Sequence, residues 1–264
     1  MLIDMGALLE HPSMKDKVSL EEWTRRTDLA ACFRLMDHFQ LNSSPGNHIT
    51  ARVPGEPDHF LINPGGRMFS EITASCLVKI DFDGNILQDE ADAPTGIVNP
   101  AGHIIHSAIY MARQDAACVF HLHTVPGIAV STRKGGFQYY CQESLRLYKR
   151  IGYHPYEGIA RDMTERDRMA AELGDENFAL VLNNHGSLVV GRTVGEAFTL
   201  TLSFEKACAI QIAAESGGHD TMLPSEETCE ATHRLTIAKN FPGSDAAWPS
   251  YRRIVDAYYP SYLT

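Results

Sequence analysis

The sequence predicts a single α/β domain in which mostly antiparallel strands form one sheet that is covered by helices. Several segments repeat apolar residues at helical spacing, and short apolar runs end at Pro-Gly or Asp-Gly turns. No linker or internal repeat divides the 264 residues, and 44% of them are hydrophobic, enough to bury a core without disulfides. We therefore expect an N-terminal arm over 1–18 and one domain over 19–264 that ends in a C-terminal tail.

The first half of the chain predicts one helix followed by three strands. Ser19 can cap a helix that extends to Gln40, because apolar residues recur there every three or four positions. Strands 49–53 and 59–63 are separated by a short Pro-Gly connection, a spacing that favours an antiparallel hairpin. A third strand, 77–82, ends at an Asp-Gly turn.

The second half alternates helices with buried strands. Asn99 and Pro100 suit the N-cap and the first helical position. The predicted elements are, in order, helix 100–113, strand 117–123, short helix 126–134, helix 162–174, strands 178–182 and 187–190, and long helix 193–216. Segment 137–156 is mixed and rich in tyrosine, and the C-terminal stretch is less regular.

Composition excludes several classes of function. The formal charge is −10 without a basic cluster, so nucleic acid is not an expected partner. No run of 18 apolar residues exists, so we expect no membrane span and no membrane partner. The N-terminus lacks the pattern of a secretory signal, and no two of the six cysteines form a CxxC pair. We expect free thiols and a cytoplasmic location.

Three histidines form the strongest chemical signal. His121 and His123 lie two apart in a predicted strand and therefore share one face. His185 follows the next buried strand in an Asn-His-Gly turn. Three neutral imidazoles with an open position can hold a catalytic zinc ion, and Fe(II), Mn or Co would also be accepted. The alternative is a pair of ordinary histidines and a turn residue.

Seven motifs between about residues 20 and 220 carry a resemblance to a known family. They are GNHITARVPG (46–55), FLINPGG (60–66), NPAGHIIHSAIYMARQD (99–115), HLHT (121–124), GYHPYEGIA (152–160), NNHGSLVVG (183–191) and ACAIQIAAESGG (207–218). In them the chain resembles the class II aldolase and adducin-head family. The resemblance implies a three-layer α/β/α sandwich with a mixed, mostly antiparallel central sheet. It also implies homotetramers with active sites between subunits, and it makes His121, His123 and His185 the zinc ligands.

The chain departs from the sugar-phosphate aldolases of this family at the start of one helix. Those enzymes carry two serines and an acid–base glutamate where this chain reads Pro100, Ala101 and Gly102. The serines that hold phosphate and the usual group for proton transfer are therefore absent. Adducin heads and adducin-like bacterial proteins share this replacement, and the sequence resembles them more.

The same resemblance supplies the remaining candidates. Glu143 is the predicted catalytic acid–base residue, since related dehydratases use a carboxylate from this part of the chain; a solvated carboxylate is the alternative. His154 and Tyr148 are weaker candidates in the same segment. Asn47 and Gly65 are predicted to bind substrate, because relatives hold its anionic end at these turns and backbone N–H groups freed by glycine suit an anion. Ordinary turn residues are the alternative.

The predicted function is that of a metal-dependent lyase. It would perform aldol cleavage or decarboxylation on a small, non-phosphorylated carbonyl or carboxylate substrate through a metal-stabilised enolate. Two alternatives stay open. One is a non-haem iron oxygenase on the same scaffold, and the other is a non-catalytic assembly module like an adducin head.

Overall fold

The computed structural model describes residues 4–8, 12–42, 44–88, 98–158, 164–237 and 245–264. Within these residues the α-helices are α1 Leu20–His38, α2 Pro100–Ala112, α3 Val125–Ser131, α4 Glu165–Leu173, α5 Val194–Glu215, α6 Glu226–Thr236 and α7 Trp248–Tyr258. The β-strands are β1 His48–Val53, β2 Glu56–Ile62, β3 Val78–Asp81, β4 Ile86–Gln88, β5 Cys118–Leu122, β6 Ile151–His154, β7 Ala179–Leu182 and β8 Gly186–Gly191.

These strands form one sheet with the order β4-β3-β2-β1-β5-β8-β7-β6. Neighbouring strands are antiparallel except β6 and β7, which are parallel. The prediction of an α/β fold with a mixed, mostly antiparallel central sheet is confirmed. The predicted hairpin is the β1–β2 pair, in which Thr50 lies opposite Ile62.

Helices cover both faces of the sheet and enclose two hydrophobic cores. The larger core packs α1 and α5 on the sheet and includes Phe33, Phe120 and Phe204. The smaller core packs α2 and α4 on the opposite face and includes Ile105 and Val119. Because Val119 and Phe120 are consecutive in β5, the strand supplies both cores from its two faces. This arrangement is the expected three-layer sandwich.

The capping residues that the sequence indicated begin their helices. Ser19 Oγ accepts the backbone N–H of Glu22, and Asn99 Oδ1 accepts that of Ala101. Strand β4 extends the sheet beyond the predicted elements, β6 lies in the mixed tyrosine-rich segment, and α6 and α7 lie in the C-terminal stretch. Residues 162 and 163, the predicted start of the helix that becomes α4, lie outside the described residues.

The segment predicted as an N-terminal arm contacts the rest of the chain. Met14 is buried in the larger core, and its backbone N–H donates to Ser75 Oγ. Asp4 accepts the backbone N–H of Ser261 near the C-terminus. All six cysteines lie in the described residues and are free thiols. Among the helices described, none has the length and apolar character needed to cross a membrane.

The segments that contain the candidate site residues lie at one end of the sheet. β1 begins there and β2 and β5 end there, because β1 is antiparallel to both. The turn between β7 and β8 lies at the same end, since Leu122 of β5 is opposite Ser187 of β8. Candidate residues from distant parts of the chain therefore meet at this edge.

Candidate metal centre

Three imidazole rings converge at the end of β5. His121 lies in β5, and His123 is the first residue after this strand. The Nε2 atoms of the two histidines are 2.8 Å apart. His185, in the turn between β7 and β8, places its Nε2 3.0 Å from that of His123. The structure thus brings together the three histidines that the sequence singled out, with their ligand atoms within 4.8 Å of one another.

A close backbone contact determines where His185 lies. A Cβ atom at Gly186 would be 2.4 Å from the carbonyl oxygen of Leu122, so only glycine lets β8 begin this close to β5. Asn184 has a φ of 57°, a left-handed conformation that asparagine tolerates, and it reverses the chain. The tight turn therefore carries His185 to the end of β5.

A hydrogen bond on the far side of the His121 ring sets its tautomer. Nδ1 is 3.0 Å from the backbone carbonyl of Ser187, which can only accept, so Nδ1 carries the hydrogen. The lone pair of Nε2 is then free, as in metal-binding histidines that donate their other N–H to a carbonyl. Ligands about 2.0–2.1 Å from a tetrahedral ion lie about 3.3 Å apart, close to the observed separations. The donor set fits zinc or a similar divalent ion.

All three rings are held in the neutral form that a metal ion requires. Burial lowers the pKa of His121 well below its usual value, and the neighbouring His48 adds to the effect. Burial also lowers the pKa of His123, and it lowers that of His185 to about 4. Because protons compete with a metal ion for Nε2, these pKa values favour metal binding at neutral pH.

A fourth histidine, which the sequence analysis missed, packs against the centre. His48 of β1 lies opposite His121 in the sheet, and the two ring centroids are 4.8 Å apart. Behind it, His48 Nδ1 is 2.7 Å from His106 Nε2, and His106 Nδ1 is 2.5 Å from Thr50 Oγ1. Thr50 Oγ1 is 2.9 Å from the Tyr110 hydroxyl. The available signal was the alternation of His48 and Thr50 along β1, which puts both on one face.

The His48 ring fills the space beside Gly102 of α2. A Cβ atom at Gly102 would lie 3.0 Å from His48 Cδ2 and 3.2 Å from His48 Nε2, which is tighter than ordinary contacts. A larger side chain at 102 therefore needs the imidazole to move. An imidazole from β1 thus borders the position that the family resemblance assigned to the acid–base glutamate.

Within a single chain, Glu143 lies in a different environment from the three converging histidines. Its carboxylate pairs with Lys206 of α5, and the hydrogen bond between them lowers the pKa of Glu143. The residue lines a cavity of about 480 Å³ whose lining includes none of the three converging histidines. The structure does not bring Glu143 to these histidines in a single chain, and its catalytic role stays a prediction.

The two weaker candidates for proton transfer are both buried. Tyr148 packs edge-on against Tyr139. His154 lies between two carboxylates, with Nδ1 2.5 Å from Glu172 and Nε2 3.3 Å from Glu165. Within the described residues, neither side chain has a hydrogen bond to the metal-ligand candidates.

The predicted substrate-binding residues lie at the same end of the sheet as the histidines. Asn47 Oδ1 accepts the backbone N–H of His123 at 2.8 Å, and its Nδ2 donates to Asn42 Oδ1. The Asn63 side chain approaches the backbone oxygen of Asn47 at 3.5 Å, which places the loop that contains Gly65 next to it. The Asn47 amide thus ties β1 to the end of β5. Substrate contacts of Asn47 and Gly65 stay predictions.

Glu205 of α5 links the end of β5 to the start of β8 from the helical layer that contains the larger core. Its buried carboxylate accepts hydrogen bonds from Thr124, next to His123, and from Ser187, two residues after His185. Burial raises the pKa of Glu205 to about 7, although these hydrogen bonds oppose the shift. The residue therefore holds two segments of the site together while carrying an unfavourably buried charge above neutral pH.

Comparison with known proteins identifies the family. The model for the Class II Aldolase and Adducin N-terminal domain matches residues 27–212, so the chain belongs to the class II aldolase and adducin family. A Caulobacter vibrioides protein that is named only as an aldolase class 2 protein is 43% identical over 95% of this chain and 96% of its own length. Alpha-adducin of Rattus norvegicus is 41% identical over 84% of this chain but only 31% of its own length.

Solved structures agree with this assignment. An aldolase II superfamily protein from Pseudomonas syringae superposes with a TM-score of 0.88, at 41% identity over 96% of this chain and all of that chain. L-fuculose 1-phosphate aldolase from Glaciozyma antarctica superposes with a TM-score of 0.79, at 26% identity over 96% of this chain and 98% of that chain. The fold predicted from the sequence is therefore that of the class II aldolases.

The converging histidines give a direct prediction about metal binding. Replacing His121, His123 or His185 individually by alanine should abolish tight zinc binding, because two imidazoles cannot complete the site. Each variant should keep its fold, as judged by circular dichroism. Zinc content after dialysis against a weak chelator measures the effect, with His233→Ala, a buried histidine on α6, as the control. A variant that retains zinc as tightly as the parent would remove that residue from the ligand set.

The buried carboxyl of Glu205 predicts a pH-dependent stability. Its pKa of about 7 in the folded chain exceeds the unfolded value, so the folded state holds more protons between these two pH values. The free energy of unfolding should therefore fall by roughly 1.4 kcal/mol per pH unit from about pH 4.3 to 7 through this group. Glu205→Gln should lose this slope in urea titrations, whereas the surface variant Glu21→Gln should keep it. Identical slopes in parent and Glu205→Gln would contradict the assignment.

Proposed function

We propose that this chain is a metal-dependent lyase that acts on a small carbonyl or carboxylate compound. The observation that carries the proposal is the convergence of His121, His123 and His185. The Nδ1–H of His121 donates to the Ser187 carbonyl, which leaves the Nε2 lone pair of His121 free. Class II aldolases generally use a divalent metal, usually zinc, which agrees with this donor set. Fe(II), Mn and Co are the alternative ions to test.

A divalent ion bound by these three histidines would supply Lewis-acid stabilisation of negative charge on a substrate oxygen. The chain itself supplies a neutral ligand set, fixed by the Ser187 carbonyl, and a binding edge formed by the start of β1 and the end of β2. Aldol cleavage and decarboxylation both leave an electron pair next to a carbonyl group, so both suit such a site. We propose these two reactions as the class to screen.

The start of α2 argues for a substrate without phosphate. Asn99 uses its side chain to cap the helix, and Pro100 and Ala101 follow it without a hydroxyl group. The two serines that the resemblance associates with phosphate binding have no counterpart here. Hydroxy acids and keto acids are therefore the proposed substrates.

The proposed working form is a cytoplasmic homotetramer. Class II aldolases are commonly homo-oligomers that act on small molecules, and the resemblance places their active sites between subunits. Such a site would let Glu143 of one subunit approach the histidines of another, which a single chain does not show. Light scattering at micromolar concentration measures the assembly state, and a monomer contradicts it.

A non-catalytic assembly module is the second candidate. The 41% identity to alpha-adducin over 84% of this chain is the observation that favours it. One experiment separates the two functions: metal analysis of the purified chain, followed by a screen of keto and hydroxy acids with and without oxygen. One metal ion per chain together with turnover supports the enzyme. A metal-free, inactive oligomer supports the module.

The first residues of α2 predict a preference for substrates without phosphate. Phosphorylated ketoses such as fuculose 1-phosphate should be poor substrates, because Pro100 and Ala101 offer no hydroxyl group to the phosphate. Cleavage rates of phosphorylated and free substrates, measured on the same zinc-loaded protein, test this preference. Efficient cleavage of a sugar phosphate would overturn it.

The role of Glu143 has its own test. If its carboxylate transfers the proton, Glu143→Gln should keep the metal and the assembly but lower turnover by roughly 100-fold or more. Lys206→Gln is the matched control, because it breaks the same ion pair and leaves the carboxylate in place. Near-parental turnover of Glu143→Gln, or an equal loss in both variants, would reject the catalytic assignment.

A further inference from the structure

The buried hydrogen bonds behind His48 have only one consistent direction. Tyr110 is fully buried, and its hydroxyl has a single hydrogen-bond partner among the described residues, Thr50 Oγ1. A buried hydroxyl without an acceptor is costly, so Tyr110 donates to Thr50. The Thr50 hydroxyl then donates its own hydrogen to His106 Nδ1, which must be the unprotonated ring nitrogen.

This direction continues to His48. With Nδ1 of His106 accepting, Nε2 of the same neutral ring carries the hydrogen and donates to His48 Nδ1 at 2.7 Å. His48 Nδ1 is therefore an acceptor, and the hydrogen of the neutral His48 ring must sit on Nε2. In the reverse direction Thr50 Oγ1 would accept from both Tyr110 and His106, and the Thr50 hydroxyl hydrogen would then have no acceptor among the described residues.

The Nε2–H group of His48 lies on the other side of the ring from the hydrogen bond that determines its tautomer. His48 is only 2% exposed, yet its Nε2 makes no hydrogen bond to any residue that the structure describes. Nε2 lies beside Gly102, where the absence of a side chain leaves the imidazole as the polar group at this position. The centroid of the same ring lies 4.8 Å from that of His121, with the two ring planes tilted by 34°, so this donor borders the metal-ligand candidates.

We propose that His48 is a substrate-binding residue whose Nε2–H donates a hydrogen bond to a carboxylate or carbonyl oxygen of the substrate. The proposal rests on the metal-dependent function proposed above, and it adds a neutral donor that the chain of His106, Thr50 and Tyr110 holds in one tautomer. A donor that is fixed before the substrate arrives needs no reorganisation when negative charge develops on that oxygen. A side chain at Gly102 would press on this imidazole, because the ring occupies the adjoining space.

The tautomer can be measured without metal or substrate. ¹⁵N chemical shifts of histidine-labelled, metal-free protein distinguish a protonated ring nitrogen from an unprotonated one. We expect His48 to carry its hydrogen on Nε2 in the parent, and Thr50→Val to introduce the second tautomer because it removes the hydroxyl that donates to His106 Nδ1. Tyr259→Phe is the matched control, since it removes another buried hydroxyl that is bonded to a histidine. A parent His48 protonated on Nδ1 overturns the proposal.

Ligand binding tests the role of the donor. Oxalate, a small dicarboxylate that can reach a bound metal ion, is titrated calorimetrically into the zinc-loaded protein. His48→Phe should keep zinc but weaken oxalate binding about 10- to 100-fold, the range for a hydrogen bond to a charged group. His48→Gln, which places an amide N–H near the original Nε2, should recover part of this affinity.

The outcomes separate the two proposals. A parent chain that binds neither zinc nor oxalate contradicts the proposed function itself. A parent that binds both, while His48→Phe binds oxalate equally well, contradicts only the assignment of His48. Equal losses in His48→Phe and His48→Gln also contradict it, because they show that the ring acts as packing and not as a donor.

Discussion

The close pairing of β5 with β8 is the constraint on which the site depends. The carbonyl oxygen of Leu122 lies 2.4 Å from where a Cβ atom at Gly186 would be, so the two strands approach this closely only because that position is glycine. This contact brings a histidine from the β7–β8 turn against two from the end of β5. It also places the Ser187 carbonyl where it receives the hydrogen of His121 Nδ1. One backbone approach thus sets both the position and the tautomer of the ligand set.

Each helical layer supports this edge of the sheet with polar groups. From one layer, Glu205 of α5 joins the segments on either side of the centre. From the other, His106 and Tyr110 of α2 fix the ring of His48. The first network ends at Thr124 and Ser187, which are close in sequence to His123 and His185, and the second ends at His48, whose ring packs against His121. Both helical layers of the sandwich therefore supply residues that border the site.

Local sequence signals predicted most of the fold and the three converging histidines. Strand alternation placed His121 and His123 on one face, and the turn chemistry placed His185 at a strand end. His48 was missed because its importance depends on which strand β1 pairs with, and pairing is a long-range property. The helices α6 and α7 were missed because they bury few apolar residues; Val255 is the single buried side chain of α7. Glu143 was chosen by resemblance, and its ion pair with Lys206 depends on tertiary packing.

Anomalous X-ray scattering at the zinc edge, from crystals grown with zinc, tests the central claim most directly. We expect one strong peak per chain, about 2.0–2.1 Å from the Nε2 atoms of His121, His123 and His185. No peak at this position would contradict it. So would a peak only at the other group of possible ligands, His154, Glu157 and Glu165.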